Sequence, residues 1–160
     1  MAIEVVKEYF SKYGISDRIK EFDVSSATVD QAAFALGCEP CRIAKTLSFM
    51  VDERAILIVA AGDAKIDNSK YKAQFGTKAK MLRPDETEAL IGHAVGGICP
   101  FGIRDGVIVY LDESLKRFST VFPACGSSNS AVELTINELE KYSGYESWVD
   151  VCNNWQSKMA

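Results

Sequence analysis

The sequence predicts one α+β domain over residues 1–160, built on a mixed, mostly antiparallel, barrel-like sheet with flanking helices. Three observations lead there. Candidate strands and helices are interspersed without the regular alternation of a doubly wound fold. Two apolar strands, 43–51 and 55–61, are separated only by Asp52-Glu53-Arg54, a gap that suits an antiparallel hairpin. Of the 160 residues, 48% are hydrophobic and 25% charged, the balance of a soluble domain with its own core. These figures argue against a disordered chain, a collagen-like repeat and a disulfide-stapled miniprotein. The longest apolar run, 55–61, falls far short of the roughly 20 residues that span a bilayer. The N-terminal Met-Ala-Ile-Glu-Val-Val-Lys-Glu carries acids inside its apolar stretch and does not read as a secretory signal.

The elements follow in order. Ile3, Val6, Phe10 and Tyr13 recur at helical spacing, and Gly14 stops that helix. Thr28-Val29-Asp30-Gln31 reads as a capping box, with Val29, Ala32, Ala33 and Leu36 as the apolar stripe and Gly37 as the C-terminal turn. The hairpin comes next, its second strand the more buried. Asp67 caps a short helix ending at Gly76, and Lys80-Met81-Leu82 forms a brief strand. Pro84 opens a helix with Asp85, Glu86 and Glu88 in its first turns and Gly92 past its end. Residues 107–111, 118–122 and 131–134 read as strands. Thr135-Ile136-Asn137-Glu138 is a second capping box, opening a helix toward Tyr142.

The net charge of −4 is unevenly placed. Lys65, Lys70, Lys72, Lys78, Lys80 and Arg83 against the single acid Asp67 leave 65–83 at +5; the remaining twelve cations and twenty-one acids stand at −9. Such a stripe is either a solvated lysine-rich face or a contact for a polyanion. The five cysteines are Cys38, Cys41, Cys99, Cys125 and Cys152; an odd number without a signal peptide suits a reducing cytoplasm rather than a disulfide framework. Cys38 and Cys41 form a C-x-x-C, but it follows a helix and precedes a strand, and no second close pair completes a zinc site. Ordinary packing cysteines and a redox or metal role both remain open for them.

Four features stand out chemically. Lys45 has the parity of Ile43, Leu47, Phe49 and Val51, so an ammonium points where the apolar face should be. Burying it unpaired costs several kcal/mol, so it either snorkels at the sheet margin or lies in a polar cleft. Residues 92–102 hold four glycines and a proline, which exclude regular structure and can present main-chain N–H groups to an anion or oxyanion. A tight crossover loop packed by Ile98 and Phe101 is the plain alternative. Ala124-Cys125-Gly126-Ser127-Ser128-Asn129-Ser130 is either a turn or the lining of a pocket for a small polar group. His93 is the single histidine, which excludes chemistry needing two imidazoles within the chain; it is a loop hydrogen-bonder or, with a serine or cysteine in reach, a base.

Taken together, Thr28…Gln31-Ala32-Ala33…Leu36-Gly37, Ile43-Ala44-Lys45-Thr46-Leu47, Gly62-Asp63, Gly96-Gly97-Ile98-Cys99-Pro100-Phe101-Gly102, Asp112-Glu113-Ser114-Leu115 and Gly126 before a strand resemble the YbaK/EbsC type. This is the prolyl-tRNA synthetase-associated editing domain, also found free-standing. The resemblance runs from about Thr28 to about Leu139, and its motifs are specific in combination rather than singly. It implies a cytoplasmic, monomeric deacylase without metal or cofactor that hydrolyses the ester of mischarged aminoacyl-tRNA in trans. Its partners would be aminoacyl-tRNA and, in a transient complex, a synthetase, with no membrane involved. The resemblance puts the 3′-terminal adenosine and its phosphate on Lys45. The aminoacyl carbonyl and the attacking water fall on the main chain of Gly96, Gly97 and Pro100, with the substrate's 2′-hydroxyl activating the water. Phe49, Ile98, Phe101, Gly126, Ser127 and Ser128 are drafted into the amino-acid pocket. Some relatives carry a histidine in the later pocket segment; here 127–130 has none. Lys65, Lys70, Lys72, Lys78 and Lys80 become the candidate track for the tRNA backbone. The rival from another class is a non-catalytic module that holds a tRNA end, a nucleotide or a partner protein in the same cleft.

Overall fold

Short caps and glycine stops fix the helices. The computed structural model describes residues 2–155. The predicted domain limits at 1 and 156–160 lie outside the described residues. Helix α1 (Ala2–Ser11) buries Val6 and Phe10. After it come β1 (Lys20–Glu21) and α2 (Val29–Leu36), where both arms of the Thr28–Gln31 capping box form and Gly37 takes the left-handed conformation.

β2 (Ile43–Val51) and β3 (Arg54–Ala61) form the hairpin, in register from Ala44↔Ala61 to Val51↔Arg54. The loop is two residues long, not three. Asp52 and Glu53 both adopt positive φ (48° and 66°), as the two-residue turn matching strand twist requires. Then follow β4 (Lys65–Ile66), α3 (Asn68–Phe75, capped by Asp67) and α4 (Pro84–Ile91). The C-terminal part holds β5 (Ile108–Asp112), β6 (Thr120–Pro123), β7 (Ser130–Ala131), β8 (Leu134–Thr135), α5 (Ile136–Ser143, with the Thr135–Glu138 capping box), β9 (Ser147–Val149) and β10 (Cys152–Asn153).

The expected mixed α+β architecture is present. One six-stranded sheet runs β8-β6-β2-β3-β5-β9 and curls into a half-barrel. Within it β2–β3 and β6–β8 are antiparallel, while β2–β6, β3–β5 and β5–β9 are parallel. Two small antiparallel sheets, β1–β7 and β4–β10, complete it. The brief strand expected at 80–82 reduces to a single bridge, Met81 to Phe49. The strand expected over 131–134 divides into β7 and β8, because the chain leaves β7 to pair β8 with β6.

The core fills both faces of β3, from Ile56 to Ala61. Phe10 packs on Phe101 with ring centroids 4.8 Å apart, and Phe49 on Tyr71 at 5.2 Å. A smaller cluster of Ala32, Ala33, Ile43 and Phe122 seats α2 against the start of β2. Among the described residues no helix is long and apolar enough to cross a membrane.

Candidate active site

The sheet splits along one edge of β2. Its parallel pairing with β6 is limited to Ile43↔Phe122 and Ala44↔Pro123. Further along, the same edge is met by segment 80–82: Met50 N–H donates to the Lys80 carbonyl at 2.9 Å and Leu82 N–H to the Ser48 carbonyl at 3.1 Å. Between these partners residues 45–47 have no strand neighbour on that side among the described residues, and backbone alternation turns the main-chain groups of Thr46 into the gap. The gap opens on a cavity of about 320 Å³. α2 supplies Val29 and Ala32 to its wall, the 94–97 turn supplies Val95 and Gly96, and Ala124 and Ala131 close the far side. Among the described residues no acid lines it, and Lys45 is the one lining cation.

Lys45 is half-buried at the end of the open edge. Its Nζ donates to the carbonyl of Gly62 at 3.4 Å and to that of Ala64. Burial holds its pKa below the ordinary lysine value, opposed by Cys152, Asp63 and Asp112 nearby. An ammonium has three donors. Two are taken by carbonyls, which leaves one for an oxygen in the cavity. The parity of Lys45 thus resolves into a polar niche within the sheet rather than an escape to solvent.

The glycine loop is zipped to its neighbour. Gly97 N–H closes a turn onto the Ala94 carbonyl at 3.1 Å, with Gly96 at φ 99° in the position where a type II turn demands it. Gly126 N–H donates to the Gly97 carbonyl at 2.9 Å, and Ser26 N–H to the Ser128 carbonyl at 2.6 Å. Three loops therefore meet at the cavity rim. Gly96 and Ile98 line the cavity, and their N–H groups have no partner among the described residues.

The remaining expected residues fall elsewhere. Gly97 and Pro100 are buried and do not line the cavity; both main-chain groups of Gly97 are already bonded within the fold. Phe49 and Phe101, expected as pocket residues, are core side chains, since each fills an aromatic cluster beneath the motif it belongs to. Gly126, Ser127 and Ser128 form the outer rim: Ser127 Oγ is engaged with Asn129 and Ser130, and Ser130 is the member of that segment that reaches the cavity. His93 is buried away from the cavity, its Nε2 on the Phe101 carbonyl at 2.7 Å, and burial lowers its pKa. It is a clip within the loop, not a base. Burial raises the Cys38 and Cys41 thiols, the direction opposite to a reactive thiolate.

Lys65, Lys72, Lys78 and Lys80 are exposed, whereas Lys70 is tied to Asp150 at 3.0 Å and to the Cys152 carbonyl at 3.1 Å. Two of the exposed lysines adjoin site residues along the chain. Lys65 follows Ala64, which holds Lys45, and Lys80 precedes Met81, an exposed residue of the cavity mouth.

Three features of the site escape the sequence. The α2 stripe reads as core, yet Val29 and Ala32 are also cavity wall; the available signal is a run of small residues that leave volume unfilled. In β2, Thr46 Oγ1 is buried with no hydrogen-bond partner among the described residues. Asp63 and Arg117 form a buried ion pair across 54 residues of chain, and sequence has no signal for such a pairing.

The model of an aminoacyl-tRNA editing domain matches residues 24–142. The chain is 52% identical over 157 residues to YwhH of Bacillus subtilis strain 168, covering 98% of this chain and all of that one. It is 29% identical over 109 residues to EbsC of Enterococcus faecalis, a candidate Cys-tRNA(Pro)/Cys-tRNA(Cys) deacylase, covering 67% of this chain and 66% of that one. It also matches proline–tRNA ligases, of whose length it spans about a fifth. A solved structure described as a candidate trans-editing enzyme for prolyl-tRNA synthetase superposes with a TM-score of 0.85 at 27% identity, covering 95% of this chain and 97% of that one. The chain belongs to the aminoacyl-tRNA editing domain family.

Proposed function

We propose that the protein is a free-standing deacylase that hydrolyses the ester of mischarged aminoacyl-tRNA in trans. The observation that carries this reading is the placement of Lys45 and the Gly96 turn around one cavity at the split of the sheet. The spare donor of Lys45 takes a phosphate or ribose oxygen of the 3′-terminal adenosine. The aminoacyl group then lies along the open edge of β2, toward Gly96 and Ile98.

The chemistry needs no side-chain nucleophile. Water adds to the ester carbonyl, the oxyanion receives main-chain N–H donors, and the tetrahedral intermediate collapses with the 3′-oxygen as leaving group, which takes up a proton. The substrate's 2′-hydroxyl activates the water. Each well-aimed donor of this kind supplies about 2.7–4 kcal/mol. Apolar and small walls, with no carboxylate among the described residues, suit an uncharged amino-acid side chain of modest size. Editing has a purpose for such side chains, since binding separates them by only about 1–3 kcal/mol per methylene. The exposed lysines of 65–83 carry the tRNA backbone toward the cavity mouth.

Single-turnover hydrolysis across a panel of mischarged tRNAs tests the reading. Release of one or a few uncharged amino acids supports it. Tight tRNA binding with no hydrolysis of any ester would assign the cleft to a binding module instead.

A further inference from the structure

We propose that Asp63 and Arg117 are positioning residues for Lys45, acting through the segment 62–64 as a bracket; the proposal rests on the reading of Lys45 as the substrate-holding cation. The carbonyls that receive the Lys45 ammonium belong to Gly62 and Ala64, the two residues that flank Asp63. The Asp63 carboxylate is gripped on both oxygens, by Arg117 Nη1 at 2.9 Å and Nη2 at 2.5 Å. Each of these side chains is only 6% exposed.

Arg117 is itself immobilised. Its Nε donates to the Ser114 carbonyl at 2.9 Å, and its guanidinium lies over the rings of Phe118 at 4.7 Å and Trp155 at 5.2 Å. Ser114 Oγ accepts from Ala61 N–H at 3.1 Å, at the end of β3. On the other side, Gly62 lies against the turn before β2: a Cβ there would fall 2.1 Å from the Pro40 carbonyl oxygen and 2.7 Å from Val29 Cγ1. The bracket is thus clamped between the Arg117 fork and the backbone of Pro40.

Stability alone is a weak account of this arrangement. Desolvating two charges offsets much of their attraction, so a buried pair contributes little net stability compared with apolar packing of the same shape. What a bidentate fork supplies is a fixed geometry. Here the geometry is handed to two carbonyls, and by them to the Lys45 ammonium at the cavity.

The test compares the wild type with Arg117→Lys, which keeps the charge and loses the fork. Arg18→Lys serves as control, since it breaks a bidentate pair to Glu138 and neither residue lines the cavity. Two measurements are made: the 13Cε NMR signal of Lys45 without tRNA, assigned with Lys45→Arg, and the kinetics on a mischarged tRNA, read as rate and KM. Arg117→Lys is expected to shift and broaden the Lys45 signal. It should lower the rate per folded molecule tenfold or more, toward the roughly hundredfold that a 1 Å misplacement produces, with KM little changed. Arg18→Lys should leave both as in wild type. An unchanged Lys45 signal together with a wild-type rate per folded molecule overturns the proposal. Should Arg117→Lys not fold, the neutral pair Asp63→Asn/Arg117→Gln is read in the same way. If the wild type hydrolyses no ester, the functional reading fails, and the NMR arm alone still decides whether the pair positions Lys45.

Discussion

Gly126 N–H donates to the Gly97 carbonyl at 2.9 Å, and the two backbones touch: a Cβ on Gly97 would fall 2.7 Å from the Gly126 carbonyl carbon and 2.6 Å from Ser127 N. This contact joins the two segments that the sequence marks as irregular, and it holds Gly96 at the cavity. Gly97→Ala should therefore part the loops, since backbone cannot yield as a flexible side chain does. We expect a loss of about 1–3 kcal/mol in urea unfolding. Deacylation per folded molecule should also fall. Full activity in the folded fraction would separate the zip from the site.

His93 sets a pH dependence of stability. Burial lowers its folded-state pKa, so the folded protein keeps the imidazole neutral while the unfolded chain protonates near pH 6.5. As pH falls below that value the unfolded state binds the extra proton, and stability declines toward the lowered folded pKa. Urea midpoints measured between pH 7.5 and 5.5, above the range where carboxylates titrate, should fall on acidification. His93→Gln, whose amide can still donate to the Phe101 carbonyl, should flatten that slope. An equal slope in both proteins would place the proton elsewhere.

The exposed lysines of the basic segment carry a salt signature. Replacing Lys72, Lys78 and Lys80 by Gln should weaken tRNA binding and reduce the slope of log affinity against log salt, by up to about 0.7–0.9 for each phosphate no longer neutralised. Lys70→Gln should change it less, because that ammonium is already shared between Asp150 and the Cys152 carbonyl. A slope unchanged in the triple variant would mark the stripe as a solvated face.

Local chemistry is the readable part of this sequence. The capping boxes at Thr28 and Thr135 and the glycine stops at Gly37, Gly76 and Gly92 act within a few residues, so sequence spacing alone locates them. Lys45 is visible because a charge breaks the parity of an apolar strand. Phe49 and Phe101 mislead for a physical reason: a loop or strand that must hold still is anchored by a large buried ring, so the aromatic nearest a motif belongs to the core beneath it. The cavity itself depends on where β6 leaves β2 and segment 80–82 joins it. The Asp63–Arg117 fork depends on a tertiary fold that brings positions 54 residues apart together. No local pattern encodes either.

In the proposed reaction Lys45, held by the Gly62 and Ala64 carbonyls at the cavity, fixes the 3′ end of the substrate. Single-turnover deacylation of the best substrate from a panel of mischarged tRNAs, measured for wild type and Lys45→Ala with unfolding midpoints for both, addresses it directly. We expect Lys45→Ala to remain folded and to lose at least about a hundredfold in rate, the scale of a lost positioning charge. A folded Lys45→Ala variant that hydrolyses the ester at the wild-type rate would remove Lys45 from the mechanism.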